Sequence, residues 1–354
     1  MAAVKWVWRY LTGEILVLPT RLAAVLICLG LLLLPLLTQD PYLLRVAALA
    51  SLLAVFAASW DLLSGFAGQV NLGHALFFGV AAYTSALLNL KLGLTPWLTI
   101  PAGALTAVLT ALLVGVPCLR LKGPYLALAT LAFPIMLTGL IFAFPSFFGG
   151  ELGVSGLTRL GRTRVREYYL TLGAMLVLTT AMWKITESRL GIIFHAIRED
   201  EVAVRASGIN TTRYKLLAFS LSGFFAGLAG GMYAHFLRIA GPSLLAMFFS
   251  FQAIIWTIFG GAATIYGPVV GVFVLYPALE ILRVVKEIRM LGFALLVLVL
   301  LRFMPEGLVP WLEHRLEPEC PRCRARNAFT RRACRVCGTA VRRLARRQEV
   351  APPL

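Results

Sequence analysis

Long apolar runs recur along almost the whole chain, and they constrain its fold more than any other feature. Each run holds about 20 residues, the length that a helix needs to cross the hydrocarbon core of a bilayer. Hydrophobic residues make up 59% of the 354 residues and charged residues only 14%, whereas about a quarter of a soluble domain is charged. The sequence therefore predicts an all-α polytopic membrane protein with about ten transmembrane helices. We place them at about 20–38, 42–64, 69–90, 96–117, 122–145, 168–186, 214–236, 247–264, 267–284 and 288–304.

One stretch inside these runs is a poor helix former. Irregular backbone at membrane depth is tolerated only where it is buried in protein or lines a wet cavity, and glycine weakens a helix. We therefore predict a broken or re-entrant segment near 65–75 that lines the translocation path. The alternative is a cluster of interhelical hydrogen bonds, with the histidine a core residue. The six residues concerned are Gly65, Gly68, Gln69, Asn71, Gly73 and His74.

Other ionisable residues within the apolar runs are few. Asp61 and Glu280 lie near predicted span ends, where reaching toward the interface explains them. A carrier driven by protons or sodium shows more such groups, or shows them in pairs. The sequence has no Walker A pattern, no HExxH motif and no plausible Ser/His/Asp grouping. The chain is therefore predicted to bind no nucleotide itself and not to be an enzyme.

A charged segment, 187–214, interrupts the apolar pattern. Its apolar residues still recur at helical spacing, which predicts a short amphipathic helix. The acidic run at 199–201 would begin this helix, and Arg205 would pair with the last residue of that run at i,i+4 spacing. Gly208 and Asn210 would end it. An amphipathic helix of this kind suits the groove of a partner; the alternative is a solvated loop helix with no partner.

The charge distribution predicts an orientation. Lys and Arg number 33 against 16 Asp and Glu, and such an excess collects in cytoplasmic loops. An even number of spans places both termini and the 187–214 segment on one side. The tail from 315 to 347 carries 11 Arg, so we assign that side to the cytoplasm. Four arginines between 159 and 166 would lie outside and argue against this assignment. Nucleic acid is disfavoured as a partner because most charges flank apolar spans.

Four cysteines near the C-terminus form two C-x-x-C pairs ten residues apart. Paired knuckles of this kind supply four thiolates to a tetrahedral Zn²⁺, and a reducing cytoplasm disfavours disulfides. We predict a structural zinc site, with a redox thiol pair or a degenerate site as alternatives. Gly338 suits the turn that presents sulfur to the metal. The ligands would be Cys320, Cys323, Cys334 and Cys337.

These features divide the chain into three parts. Residues 1–19 combine basic and aromatic side chains, as segments at the headgroup level do. Residues 20–312 form the transmembrane domain, with 187–214 as its cytoplasmic loop. Residues 313–354 form a basic cytoplasmic tail with the zinc ribbon.

Five blocks of the chain form a recognisable series. The first block is WDLLSGFAGQVNLGHALFFG at 60–79, and the second is LRLKGPYLALATL at 119–131. The turn GGELGVSGL at 149–157 and the block at 191–233 follow, and FGGAATIYGP at 259–268 is the last. In this order the blocks resemble the permease subunits of branched-chain amino acid ABC importers, the LivM-type branch. The resemblance spans roughly 45–312, and the cysteine tail departs from it, because the family normally ends soon after the last span.

The resemblance implies that the charged segment is the family's EAA loop, whose coupling helix docks on an ATP-binding subunit. Ala203, Ala206 and Gly208 occupy its small-residue positions, behind two acidic residues. The loop residues implied are Arg198, Glu199, Glu201, Ala203, Ala206 and Gly208.

The resemblance further implies a function and partners. The chain would form the path for branched-chain or other small amino acids in the plasma membrane of a prokaryote. It would act with a second, LivH-like permease, ATP-binding subunits, an extracytoplasmic substrate-binding protein and membrane lipid. Permeation of urea or short-chain amides is the alternative within the family. A stand-alone channel or secondary transporter is the alternative outside it, although such a carrier has no need of a docking helix.

Overall fold

The computed structural model of the chain describes residues 19–38, 40–121 and 123–282. Beyond 282 it describes residues 298, 302, 304, 306–317, 320, 322, 323, 327, 334 and 336–339. The predicted interfacial segment 1–19 and the predicted tenth span lie almost wholly outside these residues. The chain forms two compact units, residues 40–307 and residues 1–39 with 308–354. The domain boundaries drawn from the sequence stay a prediction.

The larger unit is helical, with one short pair of strands. Its α-helices are α2 Pro41–Trp60, α3 Ala75–Leu92, α4 Pro96–Cys118, α5 Pro124–Ala143, α6 Pro145–Phe148, α7 Arg164–Thr186, α8 Arg189–Glu199, α9 Glu201–Ala206, α10 Thr211–Leu237, α11 Met247–Gly260 and α12 Tyr266–Leu282. A π-helix, Asp61–Phe66, continues α2, and 3₁₀ turns lie at Gly150–Leu152 and Pro242–Leu245. Strands β1 Val154–Ser155 and β2 Ile239–Ala240 pair antiparallel, with Val154 opposite Ala240.

Six helices of the larger unit are long and apolar enough to cross a membrane: α2 with its π-helix, α3, α4, α5, α7 and α10. Three further apolar helices are shorter, namely residues 25–37 of the smaller unit, α11 and most of α12. The prediction of a polytopic α-helical membrane protein is confirmed. The predicted third span begins too early, because the chain is irregular until α3 starts at Ala75.

Proline sets the start of several of these helices. Pro41, Pro96 and Pro124 are each the first residue of a helix, where the missing N–H removes no intrahelical bond and the fixed φ suits the helix. Asp40 also caps α2, because its Oδ1 accepts a hydrogen bond from the N–H of Tyr42 at 2.9 Å. These start signals define helix ends that hydropathy alone blurs.

Helix α2 lies at the centre of the larger unit, since 89% of the most apolar 18-residue stretch of its span is buried. It packs against α7, α12 and α10, while α10 also packs against α3 and α4. Small residues allow the closest of these contacts. A Cβ on Gly227 would lie 2.8 Å from the Cβ of Ala107 on α4, and a Cβ on Gly223 would lie 2.8 Å from that of Ala111. These two glycines, four residues apart on α10, let the backbones of α10 and α4 approach closely.

The smaller unit contains two described helices and the cysteines. Helix α1, Pro19–Leu37, packs against α13, Leu308–Leu316. The side chain of Arg315 lies over the ring of Trp311, with its guanidinium carbon 4.5 Å from the ring centre. The four tail cysteines belong to the same unit.

Candidate functional site

The segment predicted to be broken is irregular in the structure. The π-helix Asp61–Phe66 follows α2, and residues 67–74 have no regular structure before α3 begins. The glycines permit close approaches there. A Cβ on Gly73 would lie 1.9 Å from the carbonyl oxygen of Thr130 on α5, and Gly68 has a positive φ of 68°. The break at 65–75 is therefore built by backbone contacts that only glycine allows.

The polar side chains of this segment bind its own backbone. Gln69 Nε2 donates to the carbonyl oxygen of Ala67 at 3.0 Å, and Asn71 Oδ1 accepts from the N–H of Gly73 at 2.9 Å. His74 Nε2 lies 2.9 Å from Ser59 Oγ. All three side chains are buried. Of these three contacts only that of His74 with Ser59 joins the segment to a helix, as the alternative of interhelical hydrogen bonds requires. A role of the six residues in lining the path stays a prediction.

Two polar atoms of the segment have unused hydrogen-bonding capacity. Asn71 Nδ2 and His74 Nδ1 are buried without a partner among the described residues. Buried polar atoms of this kind are rare in folded proteins. They mark the point of this segment where a bound molecule or water would be stabilised.

Asp61 corrects an interpretation made from the sequence. Its side chain is fully buried and does not extend to the interface. Its two carboxyl oxygens accept hydrogen bonds from three consecutive backbone N–H groups, those of Ala263, Thr264 and Ile265, at 2.7–3.2 Å. Ala263 and Ile265 have positive φ values of 60° and 43°, which side-chain-bearing residues rarely adopt. Asp61 thus holds the strained turn between α11 and α12.

The charged segment forms two short helices rather than one. Helix α8 ends at Glu199, so this residue does not begin the docking helix as predicted. Asp200 caps α9 instead, because its Oδ1 accepts from the N–H groups of Val202 at 2.8 Å and Ala203 at 3.0 Å. Asn210 caps the start of α10 and does not end α9. Asp200 is the one residue of this acidic run whose type is preferred at the N-cap of a helix.

The predicted ion pair and helix stop are both present. Arg205 Nη2 lies 2.7 Å from Glu201 Oε1, and the N–H of Gly208 donates to the carbonyl oxygen of Arg205 at 3.0 Å. Gly208 has a φ of 82° and is exposed, as a glycine that ends a helix does. Lys215 on α10 also binds Glu201, at 2.5 Å. Glu201 therefore fastens α9 to α10.

The charges around Glu201 change its acidity. Partial burial raises its pKa, but the hydrogen bonds from Lys215 and Thr211 and the charges of Lys215 and Arg205 outweigh burial, so that its pKa lies below the ordinary value. Burial, and then the positive charge of Arg198, lowers the pKa of His195 on α8, against the opposite effect of Glu199. Glu201 is thus ionised and His195 is neutral at pH 7.

One face of α9 is exposed and made of small or apolar residues. Val202 is 73% exposed, and Ala203 and Ala206 are exposed beside it. Ala206 lies four residues after Val202 and three after Ala203, so it shares a face with each of them. Val204 points the other way and is buried. The surface of α9 is therefore defined as Val202, Ala203, Ala206 and Gly208.

Helix α8 contacts the π-helix, which the sequence did not predict. Arg198 Nη1 donates to the carbonyl oxygen of Gly65, and the rings of Phe66 and His195 meet edge to face with centres 4.9 Å apart. A Cβ on Gly68 would lie 3.1–3.2 Å from Arg198 atoms. The charged segment and the broken segment therefore form one continuous structure. No local pattern in the sequence predicts this contact.

The four tail cysteines come together. Their sulfur atoms all lie within 4.8 Å of one another, and the Cys320–Cys337 and Cys323–Cys334 pairs are each 3.5 Å apart. A tetrahedral zinc with Zn–S bonds of about 2.3 Å places sulfurs about 3.8 Å apart. The cluster could hold a metal ion, and its donor set and spacing fit this size.

Backbone groups around the cysteines favour thiolates. The backbone N–H groups of Cys337 and Val336 lower the pKa of Cys334 to about 6. The hydroxyl and backbone of Thr339 lower that of Cys337. Gly338 adopts a φ of 71°, and its N–H donates to the carbonyl oxygen of Cys334 at 3.1 Å. The predicted turn after the second knuckle is confirmed, and the thiolate is the form that binds metal.

Comparison with known families decides the class of this helical unit. The family described as the permease component of branched-chain amino acid transport systems matches residues 42–303. The chain belongs to this permease family. It is a permease subunit of the ABC-transporter type and not an enzyme, and the match covers all six long spans of the larger unit except Pro41. Membership contradicts the alternative of a stand-alone carrier.

Individual relatives carry several substrate names. The high-affinity branched-chain amino acid permease LivM of Salmonella typhimurium is 28% identical over 301 residues, which cover 77% of this chain and 71% of LivM. The guanosine ABC transporter permease NupQ of Bacillus subtilis is 23% identical, over 52% of this chain and 64% of NupQ. The nucleoside permease NupC of Lactococcus lactis is also 23% identical, over 62% of this chain and 80% of NupC. No solved structure is similar enough to be matched to the chain.

Proposed function

We propose that the chain conducts branched-chain or other small amino acids across the plasma membrane of a prokaryote, and that α9 couples this step to ATP hydrolysis in a partner. The two matches to LivM proteins, at 28% identity, support the substrate. The partners proposed are a second, LivH-like permease, ATP-binding subunits and a substrate-binding protein. The charged segment and the cysteine tail face the cytoplasm in this proposal.

The exposed surface of α9 carries the coupling proposal. A short isolated helix is marginal in water, yet α9 is capped by Asp200 and fastened by Glu201 to Arg205 and Lys215. Its outward face consists of Val202, two alanines and Gly208. A rigid helix with small exposed side chains fits closely into a groove of a partner. A solvated helix has no need for apolar side chains on that face.

The contact between α8 and the π-helix offers a route by which docking of α9 could reach the proposed path. A docking element transmits a signal only if its partner binds it differently in two states. Arg198 and His195 connect the docking segment to Gly65 and Phe66. Movement of α9 with the ATP-binding subunit would therefore displace the segment proposed to line the path, which comprises Gly65, Gly68, Gln69, Asn71, Gly73 and His74.

Gly208 and Gly93 allow a matched test of this role. Both end a helix with positive φ, 82° and 64°, and a Cβ on either would meet no atom within 4 Å. Gly93 follows α3, at the end away from the irregular segment. Gly208→Leu and Gly93→Leu therefore introduce similar backbone strain, but only the first adds a side chain to the α9 surface.

We expect Gly208→Leu to lower leucine uptake per ATP hydrolysed by about tenfold, which corresponds to about 1.4 kcal/mol of lost docking. Gly93→Leu should leave this ratio unchanged. Uptake and hydrolysis are measured together in vesicles that contain the whole transporter. Normal coupling in Gly208→Leu, at normal abundance, contradicts the docking role.

Nucleoside or sugar transport is the second candidate, because NupQ, NupC and the ribose permease RbsC of Haemophilus influenzae are also similar to the chain. Urea and short-chain amides remain alternatives. Uptake assays with labelled leucine, guanosine, ribose and urea in the same vesicles distinguish the four. Leucine uptake without guanosine or ribose uptake supports the first candidate.

We also propose that the cysteine cluster binds structural Zn²⁺. Four sulfur ligands close the coordination shell, so the metal would stabilise the tail and take no part in transport.

A further inference from the structure

A cavity of about 270 Å³ lies at the end of the larger unit that is remote from the charged segment. Three helices join the two ends. Helix α2 with its π-helix spans 26 residues, and α10 spans 27, so each is about 40 Å long. The π-helix contacts α8, whereas the cavity is lined by Pro41 at the other end of α2 and by Leu237 at the other end of α10. The start of α7 completes the cavity.

Four arginines line this cavity: Arg45, Arg159, Arg164 and Arg238. Arg238 adopts a left-handed φ of 62°, which is uncommon for a residue with a side chain. Its Nε donates to the carbonyl oxygen of Leu157 at 3.0 Å. This bond positions the guanidinium at the cavity, and among the described residues its terminal nitrogens have no hydrogen-bond partner. The planar guanidinium of arginine can donate two parallel hydrogen bonds to the oxygens of a carboxylate or a phosphate.

A buried acid lies among these arginines. Glu167 lines the same cavity, is only 8% exposed, and its Oε1 has no hydrogen-bond partner among the described residues. The backbone of Gly161 binds the remaining oxygen. A buried carboxyl oxygen without a donor requires an explanation. A donor supplied by a ligand, such as a primary ammonium group, satisfies it.

We propose that this cavity binds a zwitterion, with its anionic group on the arginines and its primary ammonium on Glu167 Oε1. The side chains of Leu44, Phe236 and Leu237 offer apolar contact beside these charges. Binding sites for drug-sized ligands have volumes of about 300 Å³ or more. This cavity is smaller, and its volume suits a group of amino-acid size. A free amino acid is one such zwitterion, and its choice as the ligand rests on the proposed function. The headgroup of phosphatidylethanolamine carries the same two charges and is the second possible source of the zwitterion.

Binding of labelled leucine tests the proposal directly. The full-length chain is purified with its permease and ATP-binding subunits, without substrate-binding protein and without ATP, in phosphatidylcholine nanodiscs. Isocaproate lacks the ammonium of leucine and isoamylamine lacks its carboxylate. We expect both to bind at least about tenfold more weakly than leucine, because each loses one charge-assisted hydrogen bond.

Variants assign the binding to the cavity. Glu167→Gln should weaken leucine at least about tenfold and leave isocaproate unchanged, whereas Arg164→Gln should weaken both. Arg162→Gln is the matched control, since this arginine lies on the same loop but does not line the cavity. Isocaproate binding equal to that of leucine, or leucine binding unchanged in Glu167→Gln, overturns the proposal.

A second set of measurements distinguishes a free amino acid from the phosphatidylethanolamine headgroup as the bound zwitterion. If the lipid headgroup is the ligand, leucine binding falls when phosphatidylethanolamine replaces phosphatidylcholine, and labelled phosphatidylethanolamine copurifies with wild type but not with Glu167→Gln. Absence of binding by leucine and by this lipid overturns the proposal. Leucine uptake by the whole transporter is measured in parallel. Normal uptake without cavity binding rejects the zwitterion site alone, whereas absence of uptake rejects the proposed substrate.

Discussion

Asp61 illustrates how a single carboxyl group can organise distant parts of a membrane protein. It lies in the π-helix, yet it binds the backbone about 200 residues later, at 263–265. The N–H groups there cannot bond to water in the bilayer, where each unpaired group costs several kcal/mol. From the sequence we expected the Asp61 side chain to reach toward the membrane interface, because its position near the end of a predicted span was the only information available.

Asp61→Asn should destabilise the protein by about 1–3 kcal/mol, since the new amide nitrogen faces N–H donors and cannot accept from them. Thermal unfolding of the purified protein in detergent measures the effect. Asp40→Asn is the matched control, because asparagine caps a helix as well as aspartate does. Equal stability of Asp61→Asn and wild type would contradict the role of Asp61 in the 263–265 turn.

Glu201 should make the stability of the α9–α10 contact depend on pH. Its pKa is lowered in the folded state, so its contribution is present above the ordinary glutamate pKa of about 4.3 and is lost as the pH falls through the lowered value. Arg205 is 62% exposed, and a surface ion pair of this kind contributes about 0.2–1 kcal/mol. The difference in unfolding free energy between wild type and Glu201→Gln should therefore be largest near neutral pH and vanish in acid. A difference that stays constant across a pH series of thermal unfolding would reject the ion pair as its origin.

At the level of elements, the coupling segment consists of two helices with different roles. Helix α8 contacts the broken segment through Arg198 and His195, and α9 presents its small residues outward. Periodicity predicted one amphipathic helix there, because the chain between α8 and α9 is a single residue, Asp200. The cap on α9 was readable from the sequence, since aspartate followed by a short helical run is a start signal.

Arg198→Gln should weaken the link between α8 and the π-helix. The guanidinium donates to the carbonyl oxygen of Gly65, and loss of a charged hydrogen bond of about 1.5 kcal/mol changes an equilibrium about tenfold. We expect the ratio of substrate-stimulated to basal ATP hydrolysis to fall by this order in the reconstituted transporter. Arg189→Gln, at the exposed start of the same helix, should retain the wild-type ratio. An unchanged ratio in Arg198→Gln would mean that coupling bypasses this contact.

How far the sequence predicts these elements depends on the range of the interactions involved. Apolar length predicted the six long spans, because lipid imposes one requirement on every segment. The contact of Arg198 with Gly65 joins residues 133 positions apart, and no local pattern encodes it. The cavity at Glu167 was missed likewise, since Arg159 and Arg164 were counted only as part of an exception to the orientation rule.

At the scale of the whole molecule, the larger unit leaves much of its apolar surface uncovered. In the most apolar 18-residue stretch of each helix, only 28% of α5 and 22% of α7 is buried within the chain. On α4, Leu105, Leu109 and Leu113 are each at least 60% exposed. In a membrane these surfaces face lipid or another subunit, and the exposed side chains of α4 recur every four residues as one stripe. A subunit with this much open surface suits an assembly with a second permease.

The two compact units predict separate responses to metal removal. Purified protein should contain about one zinc ion per chain, since four thiolates complete a tetrahedral site. Cys320→Ala/Cys334→Ala should lose the metal, whereas Cys28→Ala/Cys118→Ala, which changes the two cysteines outside the cluster, should retain it. Mass spectrometry of metals gives the stoichiometry, and protection of the tail from proteolysis reports its folding.

Structural zinc stabilises a small fold by about 10 kcal/mol or more, so a chelator should expose the tail while the spans of the larger unit stay protected. Metal-free wild-type protein with a protected tail would show that the four cysteines fold this unit without an ion.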